Sequence, residues 1–256
     1  FSYLNLLLPD YKSQKSIGDF LYSLQQNIEI NNKLNAKLED MIKLIYEYWF
    51  VQFDFPDENG KPYKSSGGRM VYNENLKREI PYGWKVKDFG DDNEILRGDL
   101  ITNKTKKKGN IKVVSSGLSF SYFHNKANRS ANIITVSSSG NAGHVNFWRE
   151  SIFASDCITV RASSVAKTLL AFQFLKMLQK HLYRLARGSV QHHVYPSDLS
   201  HLKYLIPPQS LIDLFEYKVI DVNNLIGCKN QDNDKLIKLR DWLLPMLMNG
   251  QTTLSE

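Results

Sequence analysis

The sequence predicts an α+β protein: a mixed domain of short strands with at least one helix, flanked by two long helices that pair as an antiparallel coiled coil. Three observations lead there. The two ends of the chain repeat one another at a constant offset. Each repeat places apolar residues at alternating spacings of three and four. Between the repeats lie short β-prone runs separated by turns. The boundaries read as a long helix over 1–52, a linker over 53–79, the mixed domain over 80–200, and a second long helix with its tail over 201–256.

The repeat begins with Ser2-Tyr3-Leu4-Asn5-Leu6-Leu7-Leu8-Pro9, which matches Ser200-His201-Leu202-Lys203-Tyr204-Leu205-Ile206-Pro207 at an offset of 198. Kept without gaps, that offset aligns two heptad series. Ile17, Leu24, Asn31, Leu38 and Ile45 align with Phe215, Val222, Lys229, Leu236 and Leu243. Leu21, Ile28, Asn35, Ile42 and Trp49 align with Val219, Ile226, Asn233, Arg240 and Leu247. Such a seam pairs helices side by side. Asn31, Asn35, Lys229 and Asn233 interrupt it near the middle, a polar layer that costs stability and fixes register. Ser13 and Ser210 are expected as N-caps. The first helix is expected to run to about Phe50, and the second to Leu244, where Pro245 stops it. If the intervening domain is compact, the helices meet it at one end and pair antiparallel. Related helices paired antiparallel have an approximate twofold axis, so a second domain is expected at the far end.

The stretch over 53–79 reads as a connection because Phe55-Pro56-Asp57-Glu58-Asn59-Gly60-Lys61-Pro62 and Ser65-Ser66-Gly67-Gly68 are rich in turn residues. A new domain opens at Ile80-Pro81-Tyr82-Gly83-Trp84. Strands are expected at Lys112–Ser115, Asn132–Val136, His144–Phe147 and Cys157–Arg161, then one helix over Val165–Leu185, basic on its exposed side.

Charge is unevenly placed. The chain carries +7 overall, yet residues 85–200 hold 17 Lys and Arg against 8 Asp and Glu. A basic middle between near-neutral flanks suits a polyanion, although uneven surface charge alone would look the same. Composition is that of an ordinary soluble protein, 42% hydrophobic and 23% charged. No apolar run reaches the roughly 18–20 residues of a membrane span. The chain opens on Phe1-Ser2-Tyr3 without a basic leader or a Met, so a cytoplasmic fragment or processed chain is expected. Cys157 and Cys228 have no pairing or metal spacing and are expected as reduced thiols.

Catalytic signatures are missing. The sequence has no phosphate-binding Gly-x-x-x-x-Gly-Lys-Ser/Thr loop, no Gly-rich cofactor turn and no Asn/Asp-Pro-Pro-aromatic motif. Asp57-Glu58-Asn59-Gly60-Lys61 has the wrong spacing for a nuclease centre, and His192-His193 lacks companions for zinc. No metal site is expected. What remains are candidate nucleic-acid contacts. Lys104, Lys106, Lys107 and Lys108 suit phosphates, or form a solvated basic loop. Ser138, Ser139, Asn141 and His144 lie on a small glycine-bearing turn that lets backbone approach a phosphate or base edge, or is a plain hairpin. Arg187, Ser189, Gln191, His192 and His193 follow the basic helix and offer groups that read base edges, or are polar residues after a helix cap at Gly188.

Several longer stretches resemble the specificity subunit of type I restriction–modification systems. They are Gln25-Gln26-Asn27-Ile28-Glu29-Ile30-Asn31-Asn32-Lys33-Leu34-Asn35, Tyr46-Glu47-Tyr48-Trp49-Phe50-Val51-Gln52-Phe53-Asp54-Phe55-Pro56, Ile80-Pro81-Tyr82-Gly83-Trp84, Gly188-Ser189-Val190-Gln191, and Leu239-Arg240-Asp241-Trp242-Leu243-Leu244-Pro245-Met246-Leu247-Met248-Asn249-Gly250-Gln251. The resemblance implies a central helix, a second target-recognition domain and a distal helix, with the first recognition domain absent: a fragment or a half-sized subunit. It also implies a non-catalytic protein that reads a bipartite target in duplex DNA. The partners it implies are methyltransferase subunits and a motor-nuclease subunit. S-adenosylmethionine, ATP and Mg²⁺ are then expected only on those partners. An antiparallel homodimer is a further expectation. The alternative is a non-catalytic coiled-coil adaptor whose basic domain meets another acidic partner.

Overall fold

The structure is a computed structural model that describes residues 9–101, 105, 107–185 and 193–253. It is α+β. In chain order the elements are α1 (Tyr11–Tyr46), a π-turn (Glu47–Val51), β1 (Met70–Asn73), β2 (Arg78–Pro81), β3 (Lys85–Asp88), α2 (Phe89–Asp92), β4 (Asn93–Arg97), β5 (Ile111–Val114) and β6 (Phe120–His124). Then come β7 (Ile133–Ser137), β8 (Val145–Trp148), β9 (Phe153–Ala154), β10 (Cys157–Ala162), α3 (Val165–Met177), α4 (Gln179–Leu185), α5 (Pro196–Ser200), β11 (Lys203–Ile206) and α6 (Gln209–Met248). They form two compact units, one made of the chain up to Met41 and from Asn223, the other of Ile42–Val222.

In the helical unit, α1 and α6 pair antiparallel. Arg240 donates to the Gln25 side chain at 2.8 Å, Asn31 to Asn233 at 2.9 Å, and Asn35 to Asn230 at 2.8 Å, so the partner number falls as the α1 number rises. Ile17, Leu24, Ile28, Asn35, Ile226, Asn233 and Leu247 are buried, and Asn31, Leu38, Lys229, Leu236 and Arg240 are half-buried. The caps differ from expectation. Asp10, not Ser13, caps α1: its carboxylate accepts from the Ser13 amide at 3.0 Å and the Ser13 hydroxyl at 2.8 Å. Ser210 lies inside the first turn of α6, where the Pro208 carbonyl accepts from Leu211 and Ile212. Pro245 does not stop α6, which continues to Met248. So near the end the missing N–H removes a single bond, and the Pro245 and Met246 carbonyls still accept from Asn249 and Gln251.

The second unit holds the sheets. The main one is antiparallel with order β4-β10-β7-β8, and β7 is buried along its whole length. β6-β5-β9 forms a second sheet in which β5 and β9 run parallel. β3 pairs with β11, and β1 with β2. α3 packs on β10, β8 and β7, and its Ala166, Leu169, Leu170 and Leu175 are buried; each buried Leu contributes about 1.5–3 kcal/mol. The expected single helix over 165–185 is broken at Leu178, and the exposed basic residues Lys180 and Arg184 fall on α4.

Residues 53–79, expected as a linker, are structured. Phe55 stacks on Tyr63 and Trp84, with ring centroids 4.6 and 5.4 Å apart. The Asp54 carboxylate accepts from the Ser65 amide and hydroxyl, both at 2.7 Å. Asp57 accepts from the Asn59 and Lys61 amides at 2.8 Å, so that carboxylate closes a turn. The turn residues shape a folded segment whose aromatic rings supply its packing.

Candidate functional site

Strand register gathers the most convergent polar group. Cys157 on β10 pairs with Ser137 on β7, and Ile158 pairs with Arg97 on β4. The ends of three adjacent strands therefore lie side by side. There the Ser138 hydroxyl donates to one Asp156 carboxylate oxygen at 2.6 Å, and the Ser139 hydroxyl donates to the other. The Val194 amide donates to the Ser138 carbonyl at 3.0 Å, tying the 193–195 segment to the same place. His193 and Tyr195 have ring centroids 6.3 Å apart, and the Arg97 guanidinium lies 5.5 Å from the Tyr195 ring centre. Arg97, Ser138, Asp156, His193 and Tyr195, with Gly98 and Leu100 beside them, line a cavity of about 500 Å³. Gly98 is required in its wall, since a Cβ there would sit 2.0 Å from the Ser155 carbonyl oxygen.

The electrostatics follow from the contacts. Partial burial pushes the Asp156 carboxyl upward, but hydroxyl donors from Ser138, Ser139 and Ser116, with His193 nearby, outweigh it and hold the group below its ordinary value. It is a fixed, ionised acceptor. His144 is lowered, by burial first and by Lys176 second, so it favours its neutral form; its Nδ1 lies 3.0 Å from the Tyr183 hydroxyl.

The turn between β7 and β8 is anchored at several points. Gln179 at the start of α4 donates to the Gly143 carbonyl at 2.6 Å and accepts from the Val145 amide at 3.1 Å. Gly143 has φ +88, and an added Cβ would meet the Leu182 backbone at 2.8 Å. Asn141 reaches the Ser116 carbonyl through its amide at 3.3 Å. Ser138, Ser139, Asn141, His144 and His193 thus lie in the described structure. Lys107 and Lys108 are exposed, and the Lys107 amide donates to His124 at 3.2 Å. Lys104, Lys106, Arg187, Ser189, Gln191 and His192 lie outside the described residues. Asp156, Arg97 and Tyr195 are not legible in the sequence, because a lone acid between Ser155 and Cys157 gains meaning only from the register beside it.

A second cavity, about 430 Å³, is mostly apolar, walled by Tyr46, Phe50, Trp84, Phe174 and Tyr204. Among the described residues no group of three or more His, Cys, Asp or Glu is placed to hold a metal. No described helix is long and apolar enough to cross a membrane.

The type I restriction modification DNA specificity domain matches residues 81–211. The chain is similar to the type I restriction enzyme MjaIX specificity subunit of Methanocaldococcus jannaschii, 25% identical over 97% of this chain and 60% of that protein. It is also similar to the HindI specificity subunit of Haemophilus influenzae, 23% identical over 98% of this chain and 69% of that protein. Its fold is similar to the crystal structure of the type I restriction–modification S subunit from M. genitalium, with TM-score 0.60 and 16% identity, covering 96% of this chain and 62% of that one.

Proposed function

The chain belongs to the family of type I restriction–modification DNA specificity domains, and from that premise we propose that it recognises a sequence in duplex DNA without catalysing a reaction. The observation that carries the proposal is the strand-end cavity inside the matched segment, where Asp156, Arg97, His193 and Tyr195 converge in the basic part of the chain. Phosphate contacts position a protein on DNA, and side chains at base edges specify the sequence. Exposed Lys107 and Lys108 are assigned to phosphates, and the turn and cavity residues to bases.

In this reading the chain directs methyltransferase and motor-nuclease subunits, which hold S-adenosylmethionine, ATP and Mg²⁺. Ile30, Leu34 and Met41 support a helical docking face: they are exposed on one side of α1, away from its buried seam. The helical unit has its own approximate twofold axis. The bonded pairs 25 with 240, 31 with 233, 32 with 233 and 35 with 230 each total 264 or 265, so the 198-residue offset places the axis at the asparagine layer. A recognition domain joined to one end of the pair then has a counterpart at the other, supplied by another segment or a second copy, and the target is bipartite. Because α1 and α6 already fill each other's seam within one chain, a homodimer would need a further face.

The test is duplex binding across a salt series, with plasmid and Mg²⁺ as control. Binding that weakens steeply with salt and prefers some sequences supports the proposal. Sequence-independent binding would leave the coiled-coil adaptor, and robust cutting by the chain alone would overturn the non-catalytic reading.

A further inference from the structure

Asp156 poses a chemical question. Phosphates repel carboxylates, so an ionised acid on a DNA-facing surface is unfavourable unless it meets a hydrogen-bond donor. Asp156 has such an environment prepared. The Ser138 and Ser139 hydroxyls bond its two oxygens, one each, which fixes the carboxylate plane, and Ser116 is a third hydroxyl donor; a carboxylate accepts at about four sites, so acceptor capacity remains for a base. It faces a cavity of about 500 Å³ whose other wall carries Arg97 and Tyr195. The main donors that bases offer in the major groove are the exocyclic amines, N4 of cytosine and N6 of adenine; guanine O6 and thymine O4 are acceptors.

We propose that Asp156 reads one base of the target by accepting a hydrogen bond from its exocyclic amine, with Ser138 and Ser139 as the positioning residues that aim it. The inference rests on the DNA-recognition reading above. The carboxylate attracts cytosine or adenine and repels the oxygen that guanine or thymine presents at the same place. Discrimination therefore comes from repulsion as much as from attraction. His193, on the segment across the cavity, offsets part of the charge.

The experiment selects bound duplexes from a random library at low salt, using the whole chain, and then measures affinities for single-base variants of the selected site. Wild type should select a site. Asp156→Asn and Asp156→Ala should still bind but lose preference at one position by about tenfold or more, keeping the others. Replacing that base with an analogue lacking only the amine, 2-pyrimidinone for cytosine or purine for adenine, should weaken wild type similarly and leave Asp156→Ala unaffected. The two analogues separate the two bases. Ser138→Ala should relax preference at the same position, and Ser138→Thr, which keeps the hydroxyl, should restore it. Circular dichroism confirms that each variant is folded. If wild type selects a site and both Asp156 variants keep every preference, Asp156 is not a reader although DNA recognition stands. If wild type selects no site, the DNA-recognition reading itself fails and carries this proposal with it. A variant that unfolds is replaced in the argument by the analogue series on wild type, where equal affinity for every base and analogue would overturn the assignment.

Discussion

Cys157 and Cys228 are separated by burial, not by chemistry. The Cys157 thiol is buried at the start of β10, where burial first and the Asp156 charge next push it up to about 12. Cys228 is exposed. At pH 8 a thiol reagent should therefore label one equivalent quickly at Cys228, and Cys157 only after denaturant is added. Two equivalents reacting at the same rate in the native protein would show that the start of β10 opens. The asparagine layer offers a sharper contrast. Asn35 is buried, and its Oδ1 has no partner among the described residues, while the Asn230 group it bonds is on an exposed residue. Asn35→Leu should be neutral or stabilising within about 1 kcal/mol, because water can replace the lost donor. Asn31 instead bonds the buried Asn233, so Asn31→Leu strands an acceptor and should cost about 1–3 kcal/mol. Urea melts of the two variants check the order; a reversed order would place the strain elsewhere. The seam positions are legible in the sequence because heptad spacing is local. The bonds of Asn32 and Asn230 depend on which residues lie opposite, although Asn32 and Asn230 are themselves aligned by the 198-residue repeat.

Strands dense in β-branched and aromatic residues are the ones the sequence reveals. The runs at 112–115, 132–136, 144–147 and 157–161 correspond to β5, β7, β8 and β10 within one or two residues, each rich in Val and Ile or aromatics. β4 and β6 are half-exposed and mixed in composition, so their strand character comes from pairing with β10 and β5. The break at Leu178 is equally tertiary. Gln179 turns there to clamp the β7–β8 turn, a contact that no helical periodicity foretells. That clamp yields an element-scale prediction using two glycines. Gly60 has φ +75 with open space around it, so Gly60→Ala should cost only the left-handed strain, about 1–2 kcal/mol. Gly143 has similar strain, and its Cβ would also strike the Leu182 backbone, so Gly143→Ala should cost more. Thermal melts rank the two, and amide exchange should show opening confined to the turn and α4 in Gly143→Ala. Equal destabilisation would mean that α4 yields freely and does not hold the turn.

For the molecule as a whole, charge and shape divide the labour of recognition. The +7 net charge is concentrated in the central segment and favours any nucleic acid, whereas the strand-end cavity is small and built from few residues. These two contributions respond differently to salt, and that difference is measurable. A lysine on a phosphate releases counterions, so its removal lowers affinity for every duplex and reduces the slope of log K against log salt by about one unit. A base reader changes preference and leaves the slope nearly as it was. Lys107 is exposed beside His124, with its side chain free of any ion pair among the described residues, which fits a phosphate contact. Gln191 belongs to the segment assigned to bases from sequence. Lys107→Ala should therefore weaken all duplexes alike and shallow the slope. Gln191→Ala should relax preference at one position, by about 1–3 kcal/mol, and leave the slope unchanged. Anisotropy titrations of both variants between 50 and 200 mM salt, an interval of roughly the size over which such slopes are resolved, decide it. If Lys107→Ala leaves the slope intact, that loop is a solvated charge and the phosphate contacts must lie on another basic face, with the exposed Lys180 and Arg184 of α4 the next to test.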